Sequence, residues 1–213
     1  MSNMYEEMKI AVLEGDEELA VELAEKALEG KEDLVQVMNE GFLKGIQEAG
    51  ELYSEGEYFL PDLVCSAEAM KSALAIINPE LKKSPDGIVS SGKAVIATVQ
   101  GDIHDIGKVI VGAMLTAAGY EVTDLGADVP NIDVIEAVKE IKPDVLGLSA
   151  LLTTTMEEQR NIIIMLEKEN LRDEVRVIVG GAPVTQKWAD KINADGYSED
   201  AISAVELVKS LLA

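Results

Sequence analysis

The sequence contains one cysteine, Cys65, one histidine, His104, and one tryptophan in 213 residues. A lone cysteine forms no internal disulfide, which removes the covalent framework of small secreted domains and points to a reducing, cytoplasmic setting. With one histidine and no cysteine near it, the three or four protein ligands that zinc requires are not at hand, Asp105 and Asp124 being the only further candidates. Positive charge is scarce too. Lys and Arg number 18 against 40 Asp and Glu, a formal charge of −22, of which −13 falls in residues 1–90. Such a chain repels phosphate backbones and anionic headgroups, so neither nucleic acid nor a membrane surface is an expected partner. No apolar run approaches the ~20 residues that span a bilayer, and MSNMYEEMKI lacks the apolar core of a secretory signal. The hydrophobic share of 47% is ordinary, so a soluble globular chain of one large or two small domains is expected.

What is present follows two patterns. From Met1 to about Ile77, Ala, Leu, Glu and Met recur at helical spacing, broken near Gly15, Gly30 and Gly50 to Gly56. Four helices are expected, Tyr5 to Leu13, Glu17 to Leu28, Leu34 to Leu52 and Pro61 to Ile77, forming a bundle. Residues Asn78 to Gly92 carry two prolines, two glycines and three serines without periodicity and read as a linker, giving domains 1–88 and 89–213. Beyond it, short apolar runs alternate with helical patterns: AVIATV, YEVTDLG, DVLGLSA and VRVIVGG each precede a helix, and a weak strand passes Asp195 to Tyr197. The fold class is therefore α/β, an N-terminal four-helix bundle followed by a doubly wound, flavodoxin- or Rossmann-like parallel sheet of order 2-1-3-4-5.

In such sheets ligands lie beyond the carboxyl ends of the strands, where the winding reverses. The loop after the first strand is Gly101-Asp102-Ile103-His104-Asp105-Ile106-Gly107; the loop after the third begins Ser149-Ala150-Leu151. The only histidine thus falls at the ligand edge. Asp102, two residues before it, can accept the proton of one ring nitrogen and leave the other as a fixed basic ligand. A single imidazole suffices for a metal that arrives already held by a macrocycle.

The DxHxxG of Asp102, His104 and Gly107 is followed after 41 residues by SxL at Ser149 and Leu151, and after 28 more by Gly180-Gly181. These three blocks resemble the cobalamin-binding signature. The helical half is similar to the cap that precedes this domain in methionine synthase and in the corrinoid proteins of methylamine and methanol methyltransferase systems. GDIHDIGK and GYSEDAISAVEL look most like the methylamine type.

The resemblance implies cobalamin or a related corrinoid as cofactor, with His104 as axial ligand to cobalt, Asp102 tuning it, and Thr155 completing the hydrogen-bonded chain. Gly101, Ile103, Asp105, Ile106, Gly107, Ser149, Leu151, Thr153, Gly180, Gly181 and Tyr197 would contact the cofactor. Gly107 alternatively only lets helix approach strand, and Tyr197 alternatively fills the core. Phe59, Leu60 and Met70 are candidates to cover the upper corrin face, although apolar residues at helical spacing more often fill the bundle. Cys65 reads as a small core hydrophobe and Lys108 as a solvated helix residue.

The implied activity is that of a methyl carrier, no enzyme by itself. It accepts a methyl group on cobalt(I) from a donor-specific methyltransferase and passes it from methyl-cobalt(III) to an acceptor methyltransferase acting on a folate or thiol coenzyme. A reductive activation protein is a third expected partner, and the linker is expected to permit domain displacement. The rival readings are the cobalamin subunit of a mutase and a cobalamin-responsive sensor. A response-regulator receiver needs an aspartate at the end of the third strand, where this chain has Ser149.

Overall fold

The computed structural model describes residues 2–81 and 90–213. The chain divides into two compact units, Met1–Ser91 with Thr116–Gly119, and Gly92–Leu115 with Tyr120–Ala213.

The first unit is helical: α1 (Ser2–Leu13), α2 (Glu17–Gly30), α3 (Leu34–Gln36) running through a π-helical segment (Val37–Phe42) into α4 (Leu43–Glu55), and α5 (Leu60–Leu81). Asp16 caps α2 by accepting the Leu19 N–H at 2.9 Å, and Asp33 caps α3 through Val35 and Gln36. Met8, Val12, Leu23, Phe42, Ile46, Leu63, Met70 and Ile77 form the buried interior. Gly45 lets α1 lie close against α4, since a Cβ there would stand 2.4 Å from the Lys9 carbonyl oxygen.

Several expectations need correction in this unit. Helix α5 does not stop at Ile77 but runs through Asn78 and Pro79 to Leu81. Proline gives up one N–H there, while its fixed φ near −65° is itself helical. Of the expected linker and the 88/89 boundary, residues 82–89 lie outside the described residues. Cys65 is exposed rather than core, although its Cβ lies so close to Gly15 that a Cβ there would stand 2.5 Å from it. Phe59 is 71% exposed at the turn into α5, whereas Met70 is buried in the bundle.

The second unit is a five-stranded, all-parallel sheet of order β2-β1-β3-β4-β5, formed by β1 (Lys93–Thr98), β2 (Glu121–Asp124), β3 (Val145–Ser149), β4 (Arg176–Gly180) and β5 (Gly196–Tyr197). Helices α6 (Ile106–Ala117), α7 (Asn131–Ile141), α8 (Met156–Lys168), α9 (Gln186–Ile192) and α10 (Ala201–Leu212) connect or follow the strands. Val95, Ala97, Leu146, Leu148, Val177 and Val179 face one side, where Val134, Val138, Ile162 and Ile163 of α7 and α8 cover them. The alternate residues Ala94, Ile96 and Ile178 are buried on the other side. There α6 crosses β1 at Gly112, whose absent Cβ would lie 2.7 Å from Ile96. Both faces being covered, the strands read as unbroken apolar runs. The register aligns Thr98 with Ser149 and Ser149 with Gly180, so the loops after β1, β3 and β4 leave from one edge.

Candidate functional site

The loop after β1 is held open by its backbone. Gly101 takes φ +83, and the N–H of Asp102 donates to the Val99 carbonyl at 3.1 Å, which turns the Asp102 side chain inward while His104 remains at the surface. Asp102 is 0% exposed; the His104 side chain is 47% exposed.

Five donor groups converge on the Asp102 carboxylate. Oδ1 lies 2.8 Å from Nδ1 of His104 and accepts the His104 backbone N–H at 3.1 Å. Oδ2 accepts the Thr155 hydroxyl at 2.7 Å and the backbone N–H groups of Leu151 and Leu152 at 2.7 and 3.2 Å. Burial by itself pushes this carboxyl up. The Thr155 hydroxyl, the His104 ring and the two backbone donors from His104 and Leu151 outweigh it and hold the group well below the usual carboxylate range. Magnitudes agree with that order: the charge loses several kcal/mol of solvation, and each hydrogen bond to it returns ~1.5–3 kcal/mol.

An ionised Asp102 fixes the proton of His104 on Nδ1, because a carboxylate only accepts. Nε2 then carries the lone pair and receives no hydrogen bond among the described residues. The two loops that carry His104 and Thr155 also expose apolar side chains outside the second unit's core: Ile103 and Ile106 are 76% and 69% exposed, and Leu151 and Leu152 are 40% and 41%. A Cβ on Gly107 would meet nothing within 4 Å. Close packing of helix on strand therefore does not explain that glycine. The edge thus offers an imidazole nitrogen without a hydrogen-bond partner among the described residues, on loops that also expose apolar side chains, an arrangement suited to a flat ligand that brings its own metal. Among the described residues no group of three or more His, Cys, Asp or Glu side chains could hold a metal ion.

Of the residues named from sequence, Gly101, Asp102, His104, Leu151 and Thr155 meet directly through the Asp102 carboxylate or its flanking peptides. Ser149 and Gly180 pair across β3 and β4, and Tyr197 of β5 pairs with Val179, so these three follow the carboxyl edge away from the histidine. Tyr197 is half-buried and packs in part against the sheet core. Asp105 is half-buried, and its carbonyl accepts the Val109 N–H that opens α6. Thr153 is exposed and makes no hydrogen bond to Asp102 or His104. Gly181, at φ +121, is explained within the chain, because a Cβ there would lie 1.9 Å from the Ala150 carbonyl oxygen.

Lys108 requires correction. Its side chain is 2% exposed and ion-paired with Asp124 at the end of β2, because position 108 of α6 faces the sheet while its neighbours Ile106 and Gly107 are exposed. Asp124 also accepts the Gly126 N–H at 2.8 Å.

Gln159 was not anticipated. Fully buried one turn beyond Thr155, it donates to the carbonyls of Leu148 and Gly180 and accepts the Trp188 indole N–H at 2.9 Å, joining the ends of β3 and β4 to α9. The signal was legible: Gln159, Ile162, Ile163 and Leu166 make one helical stripe, and the only polar member of a buried stripe needs partners.

Known proteins resemble this chain over most of its length. Residues 92–206 match the B12 binding domain family, and residues 4–78 match a second family described as a B12 binding domain. A corrinoid protein of Desulfitobacterium hafniense (strain Y51) is 49% identical over 211 residues, covering 99% of this chain and 98% of that one. A trimethylamine corrinoid protein of Methanosarcina barkeri is 48% identical over 204 residues, 96% of this chain and 94% of its own. Among solved structures, the methanol:cobalamin methyltransferase complex from Methanosarcina barkeri matches with a TM-score of 0.83 at 32% identity, over 99% of this chain and 80% of that one. A cobalamin-binding protein from Desulfitobacterium hafniense DCB-2 matches with a TM-score of 0.64 at 33% identity over 97% of both chains.

Proposed function

The chain belongs to the B12-binding corrinoid proteins, whose cofactor is cobalamin, and on that premise we propose that it is a methyl carrier serving a methylamine-type methyltransferase. The observation that carries this reading is the His104 ring, fixed by buried Asp102 with Nε2 free, at loops that also expose apolar side chains.

The residues present fit a corrin. Gly107 leaves a space that a Cβ would occupy, and Ile103, Ile106, Leu151 and Leu152 offer apolar contact to a flat macrocycle. When bound, the cofactor supplies a cobalt centre able to accept a methyl group from one enzyme and surrender it to another. His104 would hold the cobalt through Nε2. Ser149, Gly180, Gly181, Thr153 and Tyr197 would border the nucleotide tail.

This chain's own chemistry lies in the Asp102 hydrogen bonds. Asp102 keeps a proton on Nδ1 in every state, so the ring stays oriented whether Nε2 is engaged or free. The carboxylate 2.8 Å from Nδ1 is the contact that holds the ring in this orientation. Thr155 and the Leu151 and Leu152 amides hold Asp102 ionised throughout. On this reading the donor methyltransferase, the acceptor methyltransferase using a folate or thiol coenzyme, and a reductive activation protein are separate partners. The site of action is the cytoplasm. The acidic surface suits basic rims on those partners.

The test is reconstitution with hydroxocobalamin, chemical reduction, and incubation with trimethylamine and a trimethylamine methyltransferase under argon. Methylation of the protein-bound corrinoid, read by its visible spectrum, is the expected result. A protein that binds corrinoid but is methylated by neither a methylamine nor a methanol methyltransferase contradicts the carrier reading.

A further inference from the structure

The Asp102 carboxylate can orient His104 only if the Asp102 backbone is itself held, and one residue of the β2–α7 loop grips it from both sides. Asp128 Oδ1 accepts the Gly101 N–H at 2.7 Å, and the Asp128 N–H donates to the Asp102 carbonyl at 2.8 Å. The loop that carries Asp128 is anchored in turn, since the Val129 N–H donates to the Thr98 carbonyl and Val129 forms an isolated bridge with Val99. We propose that Asp128 is a positioning residue for the axial histidine, clamping the Gly101–Asp102 peptides so that Asp102 presents His104 at a fixed angle; this rests on the carrier reading above.

Backbone conformation strengthens the argument. Asp128 adopts φ +53, a left-handed conformation that glycine takes without cost and that Asn and Asp tolerate better than other residues. Glycine would satisfy the backbone and still donate its N–H to Asp102. What aspartate adds is the acceptor for Gly101. Gly101, at φ +83, has no side chain that could hold its own turn. The carboxylate also lies at the surface, where a charged acceptor keeps its solvation and adds a charge-assisted bond to the peptide.

Two variants separate these contributions. Asp128→Gly keeps the left-handed backbone and the N–H to Asp102 but removes the acceptor; Asp128→Asn keeps backbone, N–H and acceptor. In the cofactor-free protein, hydrogen exchange at the Gly101 amide and the ring resonances of His104, the sequence's only histidine, report the clamp directly. The proposal expects Asp128→Gly to fold, to lose Gly101 protection, and to bind hydroxocobalamin about tenfold more weakly, the range of outer-shell changes at metal sites. In cobalt(II) paramagnetic resonance with isotope-labelled histidine, Asp128→Gly should also show a reduced imidazole-bound fraction at saturation. Asp128→Asn should stay within about twofold of the parent, as a retained acceptor requires. An Asp128→Gly protein with the parent's Gly101 protection and imidazole-bound fraction overturns the proposal. So does an Asp128→Gly chain that fails to fold, which would make Asp128 a fold residue. If the parent binds no corrinoid, the carrier reading fails, and unchanged Gly101 exchange in Asp128→Gly would separately dismiss the clamp.

Discussion

Thr155 Oγ1 lies 2.7 Å from Asp102 Oδ2, while the other oxygen of the same carboxylate meets the histidine ring. The hydroxyl and the imidazole are thus coupled through one charge. Residues on two different loops share the task of keeping that charge in place.

Removing the hydroxyl should raise the Asp102 carboxyl toward its ordinary range. Thr155→Val is expected to cost about 1–2 kcal/mol, since the Leu151 and Leu152 amides remain, and Thr155→Ser about nothing. Urea denaturation of the three cofactor-free proteins measures this.

Stability should also depend on pH through Asp102. Its folded pKa lies below the unfolded value of ~3.9, so its stabilisation is complete above that value and is lost as pH falls through the folded pKa. The stability gap between the parent and Asp102→Asn should be widest at neutral pH and narrow below about pH 4. A gap that widens on acidification would assign the opposite sign to the carboxyl.

Lys108 and Asp124 should respond asymmetrically. Asp124→Asn strands an ammonium that is nearly inaccessible, whereas Lys108→Met removes the buried charge itself. Breaking a fully buried pair costs ~3–5 kcal/mol. Because Asp124 is a third exposed, Asp124→Asn should fall at or below the low end of that range, with Lys108→Met costing less. Thermal midpoints of the two variants, taken side by side, decide the order.

Two glycines of the signature should part company. Gly181→Ala places a methyl 1.9 Å from the Ala150 carbonyl at φ +121 and is expected to cost about 3 kcal/mol or more of fold stability. Gly107→Ala meets nothing in the chain, so the fold should be unharmed. It should instead weaken hydroxocobalamin binding by about 1–3 kcal/mol, roughly 5- to 150-fold, by filling space meant for the ligand. Equal effects of Gly107→Ala on fold and binding would count against that space being the cofactor's.

Much of this was legible from period and spacing. The sheet order followed from four βα units, because strands buried on both faces and helices with one apolar stripe leave few arrangements. The Asp102–His104 pair was readable from a two-residue separation, and β5 from a faint pattern at Asp195 to Tyr197. Less legible were features decided by tertiary packing. Lys108 is a first-turn lysine like any other until α6 lies on β2. Asp128 becomes informative only once its φ is known. Phe59 and Cys65 have apolar character that predicts burial, yet both are exposed, Phe59 at the turn into α5 and Cys65 within that helix.

The most direct trial of the account compares the visible spectrum and affinity of the parent and His104→Ala after mixing each with hydroxocobalamin. His104 is exposed, so the variant should fold as the parent does. The account predicts that the parent shows imidazole ligation of cobalt and that His104→Ala loses it and binds more weakly. Superimposable spectra and equal dissociation constants would contradict it.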